Sequence, residues 1–351
     1  MPPVKVDGNW YSWEAIYGPM TLLQVPFSPK YQQTTMSQSM VASTETASAS
    51  ATAGAGAAKG PTKPPTKPVK GKAGTFGVAF QQYLPNGYNL SVPSSGQPVP
   101  FNKIQIEGST ANFNIDSLPI AKPMAEKFAN HMKKNGWSGF IKPDVRAQEI
   151  RKSSIGGSNI FGKVNIGFLI AHSVYGTAPD YTSQAQQTFQ TYMPFVNNGI
   201  NDWLRLSECS FGSTNLRWMG MYACSSLRDQ NYQSMYNIQV LPINPNLHLL
   251  CSTRSFMYIN DSIGAFWSLY MHHGATATSG AETVKRAWFL SVRDVYKLVK
   301  KMPTGQTVTL RVAGWPNCFG DKLTTYSNPG TSDPSQIAYE DQQVWPSVTI
   351  P

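Results

Sequence analysis

Charged residues are scarce in this chain of 351 residues, where Asp, Glu, Lys and Arg together make up 14%. Cysteine is scarce as well, and its four residues form no Cys-x-x-Cys pair: Cys209, Cys224, Cys251 and Cys318. No stretch approaches the roughly 18 apolar residues of a membrane span, and no phosphate-binding glycine loop of the P-loop or dinucleotide type occurs. These absences argue against a zinc site, a disulfide framework, a membrane span and those two kinds of nucleotide binding.

The composition is that of a globular domain with additional segments attached. Hydrophobic residues reach 41% and aromatic residues 12%, with 28 glycines and 26 prolines, which indicates a loop-rich domain with an ample core. The net charge of +10 raises the question of a polyanionic partner. The N-terminus lacks the apolar core of a signal peptide, which leaves the location open and favours a cytoplasmic one.

Two segments precede the main domain. Residues 1–32 carry five large aromatics among prolines, so we expect an arm that packs on the main domain, covering a sheet edge or lying over an active site as a propeptide. Residues 33–75 run from Ser, Thr and Ala into Pro and Lys, which predicts a disordered linker. Its lysines could contact a polyanion, but no aromatic interleaves with them to stack a base, so nucleic-acid binding is not favoured.

Residues 76–351 alternate between apolar strand-like runs and helical patterns. Such alternation predicts an α/β domain with a mostly parallel central sheet flanked by helices. The expected strands are 76–80, 164–171, 216–224, 246–251 and 307–313, and the expected helices are 124–134, 264–271 and 281–301.

Two of these strands end on residues that could do chemistry together. The run of residues 164–171 ends on His172, and the run beginning at residue 216 ends on Cys224. If the strands are neighbours, an imidazole and a thiol meet at the carboxyl edge of the sheet, where ligands of open α/β sheets bind. A core histidine and an inert buried thiol are the alternative.

The sequences KVNIGFLIAHS, at residues 163–173, and LRWMGMYAC, at 216–224, resemble the caspase-like cysteine peptidases, which include caspases, gingipains, legumain and clostripain. In that group one apolar strand ends in His-Gly and the next in Ala-Cys or a near equivalent. The match is closest to an uncharacterised, mostly bacterial branch of that fold, through LHLLCSTR at 247–254, Gly264-Ala265-Phe266 and Ala287-Trp288. The similarity runs over residues 76–334.

The resemblance implies a three-layer caspase-like sandwich and a role for each site residue. Cys224 would be the nucleophile, His172 the general base and acid, and the backbone N–H groups of Ser173 and Cys224 the oxyanion donors. Neither a metal nor a cofactor is implied. The family places glycine on both sides of the histidine, whereas this chain has Ala171 and Ser173, so a non-catalytic copy stays open.

Other polar residues near strand ends have weaker claims. Asp229 and Asp261 could line a pocket for a basic substrate residue and Arg254 one for an acidic residue, or all three could be solvated loop charges. His248, within an apolar strand, is expected to be a satisfied core histidine. The pair His272-His273 is expected at a solvated helix end rather than on a metal.

The leading hypothesis is a cysteine endopeptidase that hydrolyses a peptide or protein substrate through a thioester on Cys224. The alternatives are a catalytically inactive caspase-like module used for binding or assembly, and a polyanion-binding protein suggested by charge alone. The oligomeric state is left open.

Overall fold

The protein is described from a computed structural model. The structure describes residues 73–82, 118–151, 153, 156–177, 189–197, 200–209, 211, 215–224, 226–227, 246–255, 257, 259–275, 280–298, 308–329 and 337–344, with short strands inside 4–23 and 91–110. Within these residues no helix is long and apolar enough to cross a membrane.

Eighteen strands are described, and seven of them form the central sheet. In chain order they are β1 (Val4–Val6), β2 (Asn9–Tyr11), β3 (Leu22–Leu23), β4 (Thr75–Phe80), β5 (Ser91–Ser94), β6 (Gln97–Pro100), β7 (Gln105–Ile106), β8 (Ser109–Thr110), β9 (Ser138–Lys142), β10 (Ile166–Ile170), β11 (Val174–Thr177), β12 (Phe189–Asn197), β13 (Ile200–Arg205), β14 (Trp218–Tyr222), β15 (Leu249–Thr253), β16 (Ile259–Asn260), β17 (Val308–Gly314) and β18 (Ala338–Val344).

Four α-helices are described: α1 (Ala121–Lys134), α2 (Ala147–Ile150), α3 (Ile263–His273) and α4 (Val284–Leu298). Three single 3₁₀ turns, Ile160–Lys163, Leu206–Glu208 and Pro316–Cys318, lie in connections.

The central sheet has seven strands in the order β18-β17-β15-β14-β10-β4-β9. The five strands from β9 to β15 are parallel, and β17 and β18 each pair antiparallel to their neighbour. The parallel strands follow chain order 2-1-3-4-5, a doubly wound order in which ligands bind beside the point of reversal, here between β4 and β10. The prediction of a mostly parallel α/β sheet is confirmed.

One face of this sheet is covered by aromatic packing from three helices. Phe168 of β10 contacts Phe128 of α1, Trp267 of α3 and Trp288 of α4, with ring centroids 5.1, 5.6 and 6.5 Å apart. Every residue of β10 and β14 is buried, as expected for strands covered on both faces. The unbroken apolar runs of these strands follow from that double covering.

The segment between β10 and β14 contributes β11, β12 and β13 to a second sheet, of order β13-β12-β11-β7-β8, whose other two strands come from the segment between β4 and α1. Met193 and Phe195 of β12 and Leu204 of β13 are buried and belong to the same hydrophobic core as the central sheet.

The N-terminal arm contributes short strands to the described structure. β1 and β2 form an antiparallel pair, and β3 pairs antiparallel with β16, Leu23 opposite Ile259 and Leu22 opposite Asn260. An arm that covers a strand edge was one of the two expectations for this segment. The predicted linker lies outside the described residues except at its end, since β4 begins at Thr75.

Candidate active site

The carboxyl edge of the sheet brings His172 and Cys224 to adjoining strand ends. β10 and β14 pair in parallel with Ile170 opposite Tyr222, and the two candidates each lie two residues beyond that pair. Neighbouring strands are about 4.8 Å apart. His172 is 9% exposed and Cys224 6%, so both lie at the margin of the core. The adjacency that the sequence could not establish is therefore present.

The Cys224 sulfur lies against the backbone of Met257, which follows β15. The Met257 N–H donates to Sγ at 3.4 Å, and the thiol donates to the Met257 carbonyl oxygen at 3.9 Å. Burial raises the pKa of the Cys224 thiol to about 11, and the Met257 N–H acts in the opposite direction. Because the larger effect is burial, the thiol is protonated at neutral pH in this arrangement.

Ser173, predicted as a backbone oxyanion donor, bridges the two strand ends with its side chain. Its hydroxyl donates to the backbone carbonyl oxygen of Cys224. Ser173 does not have a positive φ; among the described non-glycine residues only Asp144 and Asn159 do. The strain that would follow from replacing a glycine after His172 therefore does not arise.

Buried polar groups hold the turn after Cys224, and the sequence alone does not identify them. The fully buried Arg311 donates to the Leu227 carbonyl oxygen at 3.3 Å, and the Leu227 N–H donates to Thr253 O at 2.9 Å. Ser226 donates to the Ala223 carbonyl oxygen at 3.1 Å. Arg311, an arginine inside the apolar strand β17, was the available sequence signal. A buried guanidinium without a partner would cost too much free energy, so its presence there indicates polar partners nearby.

The three predicted pocket charges have different fates. Arg254 donates to Asp341 of β18 at 2.8 Å, and Asp261 pairs with Lys127 of α1 at 2.8 Å, so both are partly buried members of ion pairs rather than solvated loop charges. Asp229 lies outside the described residues. The roles of Arg254 and Asp261 in a substrate pocket stay predictions.

At the opposite, amino edge of the sheet a second polar cluster is buried. His248 Nδ1 lies 2.6 Å from Asp321 Oδ2, which also accepts the Trp218 indole N–H at 3.1 Å. The expectation of a satisfied core histidine at His248 is confirmed. Cys318 lies beside this pair, and one ligating atom from each of the three residues falls within 4.8 Å of the others.

The ends of α1 and α3 bring three histidines together. The His131 ring lies 5.7 Å from His272 and 5.6 Å from His273, centroid to centroid. The expectation of a solvated helix end is wrong for His272: its Nδ1 lies 2.7 Å from the Ser268 carbonyl oxygen, and its Nε2 is buried with no hydrogen-bond partner among the described residues. Burial lowers the pKa of His131 to about 3 and that of His272 to about 4.

The fold and this edge define a mixed α/β protein with a mostly parallel sheet, in which a cysteine and a histidine follow adjoining strands at the carboxyl edge. Residues 106–325, which include both, match the family described as domain of unknown function DUF6345. The match covers more than half of the chain, and the chain belongs to this family. No curated protein matches the chain.

Proposed function

We propose that this protein is a caspase-like cysteine peptidase in which Cys224 is the nucleophile and His172 the general base and acid. The observation that carries the proposal is the placement of both residues two positions beyond a paired position of β10 and β14. A nucleophile and its base need to come within hydrogen-bonding reach, and adjoining strand ends allow it. The edge also lies beside the reversal of strand order, where doubly wound sheets bind ligands.

The proposed reaction has two steps that balance in atoms and charge. His172 takes the Cys224 proton, the thiolate attacks the peptide carbonyl carbon, and the C–N bond breaks as His172 protonates the leaving amine. Water then attacks the thioester, the acid leaves, and the thiol is restored. The anchored turn after Cys224 supports this chemistry because a fixed nucleophile loses less entropy on reaching the transition state.

The Met257 backbone has to move for this reaction to occur. Because burial raises the pKa of the Cys224 thiol to about 11, the thiol is protonated at pH 7 while Met257 covers it. A substrate peptide that displaces Met257 would expose Sγ to His172 and lower that pKa. The proposal therefore includes a resting enzyme whose thiol is covered until the substrate binds.

A peptide-bearing electrophile tests the proposal on the full chain. A mixed-sequence peptidyl chloromethyl ketone should label Cys224 faster, by about 100-fold or more, than iodoacetamide at equal intrinsic reactivity, because the peptide displaces Met257. His172→Ala should reduce both this labelling and the cleavage of a fluorogenic peptide library by about 100-fold or more. Cys224→Ala should abolish the cleavage.

Cys251 provides the matched control. It is a fully buried cysteine on the neighbouring strand β15, and burial raises its pKa as well. Cys251→Ser should therefore cleave the library at the rate of the unaltered chain. If neither reagent distinguishes Cys224 from Cys251 and no peptide is cleaved, the proposal is wrong.

One observation favours a second candidate, the catalytically inactive module. The same burial that raises the pKa of Cys224 is what an inert structural thiol would have. In that case His172→Ala would leave the labelling of Cys224 unchanged.

A further inference from the structure

A thiol, an imidazole and a carboxylate converge at the amino edge of the sheet, at the opposite ends of the strands from Cys224. His248 precedes β15, Cys318 lies in the 3₁₀ turn after β17, and Asp321 follows three residues later. All three are buried, with exposures of 4%, 0% and 1%. Sulfur, nitrogen and oxygen ligands of these types are the ones that zinc takes from proteins.

The negative charge of the Asp321 carboxylate needs a positive charge close by. Its side chain has no exposed surface, and its one cationic partner among the described ion pairs is His248. Burying an ionised carboxylate costs several kcal/mol unless an opposite charge is close. A bound divalent cation would supply that charge.

The groups around the cluster fix it as outer partners fix metal ligands. The Trp218 N–H donates to Asp321 Oδ2 at 3.1 Å and the Ser327 N–H to Oδ1 at 2.8 Å, so both oxygens are oriented. The His248 ring packs edge-on against Trp218 and Tyr326. Such support holds ligands in place and is as characteristic of a metal site as the ligands themselves.

We propose that His248, Cys318 and Asp321 bind a divalent transition-metal ion, for which zinc has the best-matched ligand preference. Thiolate, carboxylate and a divalent cation sum to zero with a neutral imidazole, so the buried site carries no net charge. On binding, the Cys318 thiol loses its proton to solvent, and the proton between His248 Nδ1 and Asp321 Oδ2 moves to Nε2 of the same ring or to solvent, so that both atoms are free to bind the metal. Asn317 Oδ1, 3.6 Å from Cys318 Sγ, or a water can complete four ligands.

The role that follows is structural rather than catalytic. The three ligands leave no route for a substrate, since each is at most 4% exposed. The ion would connect the loop after β17 to the start of β15, so its binding energy would add to the stability of this part of the fold. The proposal is independent of any chemistry at Cys224.

Cobalt substitution tests the site on the full chain. The purified chain should retain roughly one zinc per molecule, and replacement by Co²⁺ should give the thiolate-to-cobalt absorption band of a tetrahedral site. Cys318→Ser should lose that band, and Asp321→Asn should bind Co²⁺ at least about tenfold more weakly. Chelation of the ion should lower the Tm of the unaltered chain.

Cys251→Ser is again the matched control, because Cys251 is buried on β15 but lies outside the cluster, and it should keep the band. The measurement on the unaltered chain needs no variant to fold. A chain that holds no metal after purification, gives no cobalt–thiolate band and melts at the same temperature with zinc and with chelator would overturn the proposal. The three residues would then form a metal-free hydrogen-bonded network.

Discussion

The hydroxyl of Ser173 donates to the backbone carbonyl oxygen of Cys224, and this bond closes the gap between the ends of β10 and β14. Both groups are buried, Ser173 at 2% exposure and Cys224 at 6%. The position is one where the caspase-like resemblance would have placed glycine. Ser173 therefore links Cys224 to the end of β10 through a side chain, at a position where the caspase-like pattern has glycine.

Ser173→Ala should lower the free energy of unfolding by about 1–3 kcal/mol, because a buried carbonyl loses its donor. Urea unfolding at neutral pH measures the change. Ser291→Ala in α4 is the matched control: its hydroxyl donates to the Trp288 carbonyl oxygen at 2.7 Å within a helix. That carbonyl lies in the helical turn and keeps its access to backbone donors, so the control should cost less. Equal losses in the two variants would refute the assignment.

Acid should destabilise the protein through His131 and His272. Burial lowers the pKa of both below the value near 6.5 expected in the unfolded chain. The unfolded chain therefore binds more protons below pH 6.5, so the stabilising effect is complete above that pH and is lost as the pH falls towards 4. The slope should be about 1.4 kcal/mol per pH unit for each histidine.

Urea unfolding between pH 7.5 and pH 5 tests this expectation. His131→Gln should reduce the slope by the contribution of one proton, whereas His273→Gln, at an exposed position, should change it less. A stability that stays constant down to pH 5 would contradict the burial of two neutral imidazoles.

Asp341→Asn should be strongly destabilising because Asp341 pairs with a buried cation. Its two oxygens accept from Arg311 Nε and Nη2 at 2.6 and 2.8 Å, and the guanidinium also lies 4.0 Å from the centroid of the Tyr339 ring. Breaking one side of a buried pair costs about 3–5 kcal/mol when the remaining charge is left alone. Arg254, which shares Asp341, would lose its partner too.

Glu340, the neighbour of Asp341 on β18, is the control. It pairs with Lys285, but its side chain is 47% exposed, so Glu340→Gln should change the free energy of unfolding by less than about 1 kcal/mol. Thermal melting of the two variants compares them directly. If the two variants melt at similar temperatures, burial does not make the Arg311–Asp341 pair more stabilising than the Lys285–Glu340 pair.

Gly220→Ala should disturb the aromatic packing beneath the carboxyl edge. A Cβ at Gly220 in β14 would meet ring carbons of Trp267 at 2.5 and 2.6 Å and of Phe168 at 3.2 Å. Overpacking of this kind costs about 1–3 kcal/mol or more. Gly280→Ala, where a Cβ meets nothing within 4 Å, should be neutral within about 0.5 kcal/mol. Urea unfolding measures both, and a neutral Gly220→Ala would show that Trp267 can shift freely.

Much of the central sheet could be predicted from the sequence because its strands are covered on both faces. The run of residues 164–171 contains β10, the run from residue 216 contains β14, and the residues 281–301 contain α4. The second sheet could not be predicted in this way. Its strand β12 buries Met193 and Phe195 on either side of Pro194, and the surrounding polar residues hide that pattern.

Only those residues of the candidate site that lie at the ends of apolar strands could be predicted from the sequence. Strand ends at His172 and Cys224 follow from local apolar runs, whereas the Met257 backbone and Arg311 reach Cys224 and its turn through contacts 33 and 84 residues apart in the chain. Asp321 was missed for the same reason, since its partner His248 lies 73 residues away. The spacing of Cys318 and Asp321, three positions apart on a turn, was the one local signal.

The reversed direction of β17 places the cluster of His248, Cys318 and Asp321 at the edge of the sheet opposite His172 and Cys224. Because β17 runs antiparallel to β15, it ends at the amino edge of the sheet, where β15 begins. The ends of β10 and β14 lie at the opposite, carboxyl edge. Five residues of strand, roughly 17 Å, separate the two edges. Changes that far apart combine almost additively, so substitutions around Cys224 should leave the stability of the loop between β17 and β18 unchanged.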